Sequence, residues 1–356
     1  MIPDQRAPAP MRGRGAAENP KNRFERVERV AEPVEGDDEQ PLPTTQFLPD
    51  ASKSIIATND SPDVGFDAGV NPYRGCEHGC AYCYARPTHE YLGFSAGLDF
   101  ETKIMVKHDA PELLRAELSK RTWTPKVIAM SGVTDCYQPI ERKLRLTRGC
   151  LEVLAEFRNP VVLITKNALV ARDADVLASL AAHHAAAVFL SITTLDADLC
   201  GVLEPRTSRP AKRLAAIAAL AKAGVPVGVN VAPVIPGLND SEIPRIVQAA
   251  ADAGATSAGF VPLRLPYAVA PLFETWLERH RPGMKDKVLH RIREMRGGRL
   301  NDPNFGSRME GNGPFAEQIR ALFSVACRRA GLASGGPELS TRGFRRPGEL
   351  PLFFDA

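Results

Sequence analysis

The apolar positions of this chain fall into short continuous runs separated by longer stretches with helical spacing. The runs are "GFDAGV" (65–70), "KVIAMSG" (126–132), "VVLIT" (161–165), "AVFLSIT" (187–193), "VPVGVNV" (225–231) and "SAGFVPL" (257–263), the first being the weakest. They do not alternate apolar with polar, which is the pattern of parallel strands covered on both faces. Helical spacing fills the gaps at 110–121, 141–157, 208–224 and 240–254. The stretch "SRPAKRLAAIAALAKAG" places Ser208 as an N-cap, Pro210 in the first turn and Gly224 just past the end. "DSEIPRIVQAAADAG" repeats that design with Asp240 or Ser241, Pro244 and Gly254. Six strand-then-helix units in about 200 residues predict an α/β fold, a partial (β/α)6 barrel of TIM type.

The flanks read differently. Residues 1–50 are rich in Pro, Arg, Glu and Asp and poor in apolar residues, which predicts a disordered N-terminal arm. The barrel then occupies 51–275. A C-terminal helical extension occupies 276–332, with Phe315, Ile319, Leu322, Phe323 and Ala326 on one apolar face. Residues 333–356 read as a flexible tail whose end, "LPLFFDA", has the apolar character of a docking segment.

Composition narrows the function classes. The net charge of +3 gives no global polyanion signature. The N-terminus lacks the apolar core of a secretory signal, and no run of about 18 apolar residues occurs, so the expected place is the cytoplasm, with no membrane partner. Seven cysteines, three of them bunched, argue against a disulfide framework and for metal or redox chemistry.

The bunch is "NPYRGCEHGCAYCYARP" (71–87), which follows the first strand. Loops after the strands of a parallel barrel form its catalytic face. Cys76, Cys80 and Cys83 offer three soft thiolates at C-x3-C-x2-C spacing, with Gly75 and Gly79 allowing the tight loop. A structural zinc site takes four protein ligands, and the fourth here would have to be His78 or His89. Three thiolates suit a 4Fe–4S cubane with one iron left open. A zinc-stabilised, non-catalytic binding module stays open as an alternative.

C-x3-C-x-aromatic-C, here "CEHGCAYC", resembles the motif of the radical S-adenosylmethionine (SAM) superfamily, and the likeness spans roughly 60–275. It implies an enzyme in which the open iron holds S-adenosylmethionine. An electron from the cluster then yields a 5′-deoxyadenosyl radical that abstracts hydrogen from a substrate. A low-potential donor such as flavodoxin or ferredoxin is implied as partner. "TDCYQPIE", "TKN", "LEPRTSRPAKRL" and "VNVAPVIPGLND" are similar to spore photoproduct lyase and to uncharacterised DNA-repair-photolyase-like relatives. That likeness implies cofactor contacts from Thr134, Asp135, Lys166 and Ser191, with Tyr82 flanking the adenine. Asn230, at the end of the fifth strand, is a weaker candidate. Tyr82 and Tyr84 resemble the lyase pair that relays the radical. One departure stands out: Gly132 occupies the position of the lyase's hydrogen-donating cysteine, and Cys136 is the nearest thiol. Tyr84 and Cys136 are therefore the catalytic candidates.

Cys150, Cys200 and Cys327 read as core thiols, His183 and His184 as surface residues, and Trp123 and Trp276 as packing residues. Residues 279–299 and Arg206, Arg209, Lys212 and Arg213 form basic stretches that can meet phosphates. A nucleic-acid base or lesion is thus one expected substrate, and a peptide or small metabolite is the rival.

Overall fold

The computed structural model describes residues 13–25 and 44–348. Six parallel strands form its centre: β1 (Ala68–Val70), β2 (Ile128–Met130), β3 (Val161–Thr165), β4 (Ala186–Ser191), β5 (Val227–Val234) and β6 (Ser257–Pro262). They pair in sequential order. The sheet does not close. Ile56–Thr58 pairs antiparallel outside β1, and Ala333–Ser334 pairs parallel outside β6. The result is a partial barrel, as the run pattern predicts. All six residues of β4 are buried, so Val188, Phe189 and Leu190 need no polar alternation.

Helices α1 (Ala110–Ser119), α2 (Leu146–Phe157), α3 (Ala174–Ala181), α4 (Pro210–Lys222) and α5 (Ile243–Asp252) cover the sheet. Gly224 and Gly254 follow α4 and α5 at φ +79° and +98°, where a side chain would be strained. Ser208 is not a cap. Its hydroxyl joins Asn167 and the amide of Ala168, while Arg209 takes the capping position. The main core runs from the strands into these helices and takes in Cys150 and Cys327.

The C-terminal extension comprises α6 (Val269–His280), α7 (Lys285–Met295) and α8 (Gly313–Ala330). Ile319, Phe323 and Ala326 of α8 are buried, whereas Leu322 is exposed. Part of the basic stretch 279–299 is occupied internally. Lys285 pairs with Glu278, and Arg291 pairs with Asp240 at 3.4 Å. Buried Arg296 donates to the carbonyls of Leu263, Ser307 and Arg308. None of the helices among the described residues is long and apolar enough to cross a membrane.

Both flanks differ from the sequence expectation. Residues 13–25 dock on the barrel, and Gln46–Pro49 forms a parallel strand with Lys103–Val106, which also pairs with Tyr73–Arg74 just before the cysteine loop. The docking uses backbone amides and small residues, which hydropathy does not register. Gly15 and Ala16 donate their amides to the Glu101 carboxylate at 3.1 and 2.8 Å, and Asn22 donates to the carbonyls of Glu90 and Phe94. The tail is likewise held: Ala333–Ser334 extends the sheet, and the amides of Ser340 and Arg345 reach the carbonyls of His184 and Phe157. The stretch "LPLFFDA" and residues 26–43 of the arm lie outside the described residues.

Candidate active site

The cysteine loop leaves the Tyr73–Arg74 strand through Gly75, at φ +80°. A Cβ there would press on the His89 ring and the Phe100 carbonyl at 3.0 Å, so only glycine passes. Cys76 and Cys80 are buried and Cys83 is partly so. Burial pushes the Cys83 thiol up to about 11, with Cys76 adding to the rise and Arg86 opposing it. Burial also raises Cys80, helped by the charge of Glu204 and by the other two sulfurs, and opposed by Lys166. Cys80 and Cys83 are therefore raised by burial and by the neighbouring sulfurs. Thiols so placed ionise when a metal takes up the charge. Among the described residues no three Cys, His, Asp or Glu side chains crowd onto one ion, and a cubane, whose corners are separate irons, does not require that. The donor set fits a 4Fe–4S cluster held by Cys76, Cys80 and Cys83.

Neither histidine is a fourth ligand. His78 lies in the loop with its Nδ1 3.3 Å from Asp135 Oδ2 and its Nε2 3.2 Å from Asn167. Burial alone would lower its pKa, but the Asp135 and Cys76 charges hold it up to about 10. His89 sits behind the loop, with Nε2 on the Lys103 carbonyl at 3.0 Å and its ring edge-on to Phe100.

Asp135, at the end of β2, is an anchor for this loop. Its Oδ1 accepts from the Thr165 hydroxyl at 2.7 Å and the Tyr137 amide at 2.9 Å, and its Oδ2 accepts from the Lys166 amide at 2.7 Å. Thr134 is buried and donates to the Tyr73 carbonyl at 2.9 Å, tying β2 to the strand that feeds the loop. Both residues stand at the strand ends where the sequence puts them, but their polar atoms are engaged with the protein. Cys136 is corrected. It is fully buried in the main core, where burial drives its thiol far up, and it presents no exposed sulfur for the catalytic role expected of it.

Lys166, at the end of β3, points into a polar knot that sequence reasoning missed. Its Nζ donates to the Ala232 carbonyl at 2.7 Å, lies 3.3 Å from Glu204 and stands 5.6 Å above the Tyr82 ring. Glu204 is buried and also accepts from Tyr82, Thr193 and Arg213. Burial would raise its carboxyl, but Arg213 and Lys166 hold it well below the usual carboxylate range. Arg213, itself buried, reaches on to the Ser191 carbonyl at 2.7 Å. Tyr82, Lys166, Thr193 and Ser191 are thus brought together by a carboxylate that stood unnoticed in "LEPRTSRPAKR". Its signal was a single acid among four cations. The three arginines among them are not a free basic rim: Arg206 pairs with Glu77 at 3.1 Å, Arg209 caps the Ala197 carbonyl, and Arg213 holds Glu204. Asn230 stands apart from the knot, and its Oδ1 lies over Gly259, where a Cβ would come within 2.8 Å.

On the opposite side of the loop Arg86 is fully buried. It donates twice to the Cys80 carbonyl and pairs with Glu101 at 2.5 Å. Glu101 in turn receives the Gly15 and Ala16 amides. Gly15 lies so close behind Gly79 that a Cβ on it would overlap the Gly79 carbonyl at 1.8 Å. The N-terminal segment is a brace on the back of the cysteine loop.

At the mouth, Tyr84 is half exposed and donates its phenol to the Gly132 carbonyl at 2.7 Å. A Cβ at Gly132 would meet nothing nearer than the Phe66 ring at 4.0 Å, so the space beside Tyr84 is open. Arg264, just past β6, lies 5.5 Å from the Tyr84 ring. Its buried Nε has no hydrogen-bond partner among the described residues, and its Nη1 meets only the Met309 sulfur at 3.3 Å.

Comparison with known proteins agrees with this geometry. The family model described as "Radical SAM superfamily" matches residues 70–250. An uncharacterized protein of Mycobacterium tuberculosis (strain H37Rv) is 37% identical over 244 residues, covering 67% of this chain and 71% of that one. An uncharacterized protein of Methanocaldococcus jannaschii is 31% identical over 173 residues, covering 49% of this chain and 62% of that one. Among solved structures, spore photoproduct lyase complexed with dinucleoside spore photoproduct superposes with a TM-score of 0.60 at 16% identity, covering 81% of each chain. The family is one of enzymes whose cofactors are a 4Fe–4S cluster and S-adenosylmethionine, which sets aside the zinc-module reading. A cysteine loop at the end of the first barrel strand, three enclosed sulfurs, and a matched family model over half the chain lead to one conclusion: this chain belongs to the radical SAM superfamily.

Proposed function

We propose that this radical SAM enzyme acts on a nucleic-acid base or lesion presented at the mouth between Tyr84 and Arg264. The observation that carries the reading is the Arg264 guanidinium, which among the described residues has no carboxylate bonded to it and faces a half-exposed aromatic ring beside the cluster loop. A ring face and a cation are what a base and its phosphate would meet there. The fold likeness to spore photoproduct lyase, whose structure holds a dinucleoside photoproduct, supports the same substrate class.

In this reading Cys76, Cys80 and Cys83 hold the cluster, which with bound S-adenosylmethionine supplies the 5′-deoxyadenosyl radical. Lys166 and Tyr82, set by Glu204, line the cofactor side. Asp135 and His78 fix the loop, and Arg86 fixes it from behind. Tyr84 is the proposed catalytic side chain, because Gly132 offers no thiol. A flavodoxin or ferredoxin is the proposed electron donor.

The test is anaerobic reconstitution and dithionite reduction with thymine-rich and damaged oligonucleotides deuterated at candidate positions. Deuterium arriving in 5′-deoxyadenosine from an oligonucleotide supports the proposal. Label arriving only from peptides or metabolites overturns it. Tyr84→Phe should lower nucleic-acid product while leaving substrate-free cleavage of S-adenosylmethionine intact.

A further inference from the structure

Three exposed aromatic rings from distant parts of the chain gather around one arginine. Phe24 comes from the docked N-terminal segment, Tyr91 from the turn after the cysteine loop, and Tyr267 from the loop after β6. Their exposures are 57%, 74% and 65%, high for rings of this size. Phe24 and Tyr91 lie 4.9 Å apart between centroids. The Arg23 guanidinium spans the gap, 3.7 Å over Tyr267 and 5.0 Å over Phe24. Arg23 is not free to wander: its Nε pairs with Glu90 at 2.6 Å, and its own amide donates to the same carboxylate. Tyr267 is held at φ +49°, a left-handed backbone that is unfavourable for a tyrosine. Three residues before it comes Arg264, facing Tyr84. Phe24, Arg23, Tyr91 and Tyr267 form an exposed ridge, which the loop after β6 ties through Tyr267 to Arg264, the residue facing Tyr84.

We infer that this ridge is a stacking platform for the unpaired nucleotides that flank a base drawn into the mouth, so that the enzyme engages single-stranded or locally opened nucleic acid. The inference rests on the nucleic-acid reading proposed above. A base worked on inside a barrel must leave its stack, which strands its neighbours without partners. Exposed aromatic faces take such bases without regard to sequence. Because Arg23 is neutralised by Glu90, the outer ridge offers ring faces rather than net charge. Arg264 supplies the charge at the inner end.

The experiment measures binding of a fluorescent oligonucleotide to the reconstituted holoenzyme under anaerobic conditions across a salt series. Single-stranded and fully paired versions are compared. Tyr267→Ser and Tyr91→Ser should each weaken single-strand binding by about tenfold and leave the salt slope unchanged, since stacking is uncharged. Arg264→Gln should reduce the slope by about one ion. Tyr91 and Tyr267 are exposed, and retained cleavage of S-adenosylmethionine without substrate in those two variants confirms a folded enzyme. If the wild type binds single strands but the Tyr267→Ser/Tyr91→Ser double variant stays within about twofold of it, the ridge inference fails and the substrate reading stands. If the wild type binds no nucleic acid at all, the substrate reading itself fails. If the variants bind nucleic acid normally but lose turnover with flavodoxin and keep it with dithionite, the ridge belongs to a protein partner and the inference is overturned.

Discussion

The cysteine loop and the rim of the mouth are neighbours in space, yet they are held in opposite ways. The loop is gripped by buried charge on two sides: Asp135 with His78 from β2, and Arg86 with Glu101 from behind. Beside it Glu204 gathers Lys166, Arg213, Tyr82 and Thr193. The rim is open by contrast. Tyr84, Val133, Tyr267 and Phe305 are exposed there, and Arg308 meets Asp63 across the gap between the first hairpin and the C-terminal extension. The wired half carries chemistry that the whole superfamily shares, and its carboxylates, arginines and Lys166 are paired internally. The rim keeps exposed rings, and among the described residues the Arg264 Nε has no hydrogen-bond partner, as suits a surface that receives a substrate. A cofactor site demands fixed geometry, and a substrate site demands unspent contacts.

The largest effect that would break this contrast comes from the sulfurs. Replacing Cys76, Cys80 or Cys83 with Ala should abolish both the visible iron–sulfur absorption and cofactor cleavage. A retained chromophore in any of the three would move the cluster elsewhere. Next comes Glu204→Gln, which leaves buried Arg213 facing a neutral partner and should cost about 3–5 kcal/mol of unfolding free energy. Denaturant titration measures it. A loss under about 1 kcal/mol would mean the knot is not a structural tie.

The acid limb sharpens the contrast further. Burial holds the His89 imidazole down at about 4, against the ordinary 6.5, so it is neutral in the folded chain. A group with a lowered folded pKa that must charge on unfolding contributes stability above 6.5 and loses it as the pH falls toward 4. The loss should reach about 3 kcal/mol over that window, and His89→Gln should flatten it. An unchanged slope in the variant would show that His89 is hydrated.

Smaller still, Lys166→Ala should keep the cluster yet weaken S-adenosylmethionine binding by roughly tenfold, read by calorimetry. Arg308→Gln should have the least effect of all, leaving the iron–sulfur band and substrate-free cleavage unchanged. A bleached cluster in that variant would erase the distinction between loop and rim.

The barrel was legible in the chain because β3 to β6 carry no exposed residue on either face and so read as unbroken apolar runs. The cluster ligands were legible because their spacing is local. The rest depends on pairs that sequence keeps far apart. Glu101 meets Ala16 across 85 positions, and Tyr82 meets Glu204 across 122. A buried Arg and a solvated Arg look alike as letters, so Arg206, Arg209 and Arg213 read as a basic rim when each already had a partner. Residues 13–25 failed a test based on apolar content because their hold is backbone amides on carboxylates and glycine against glycine. Likewise, Phe24, Tyr91 and Tyr267 are far apart in the chain, and only the fold gathers them around Arg23.

The seating of Gly15 on Gly79 has a practical side. The segment that identifies the family begins at residue 70, and a gene trimmed to it would look complete on paper. Such a fragment would lack the wedge that keeps the Cys80 carbonyl and its arginine in place, and would also forfeit the sixth strand. The smallest piece able to house the cofactors is therefore much longer than the stretch by which the family is recognised.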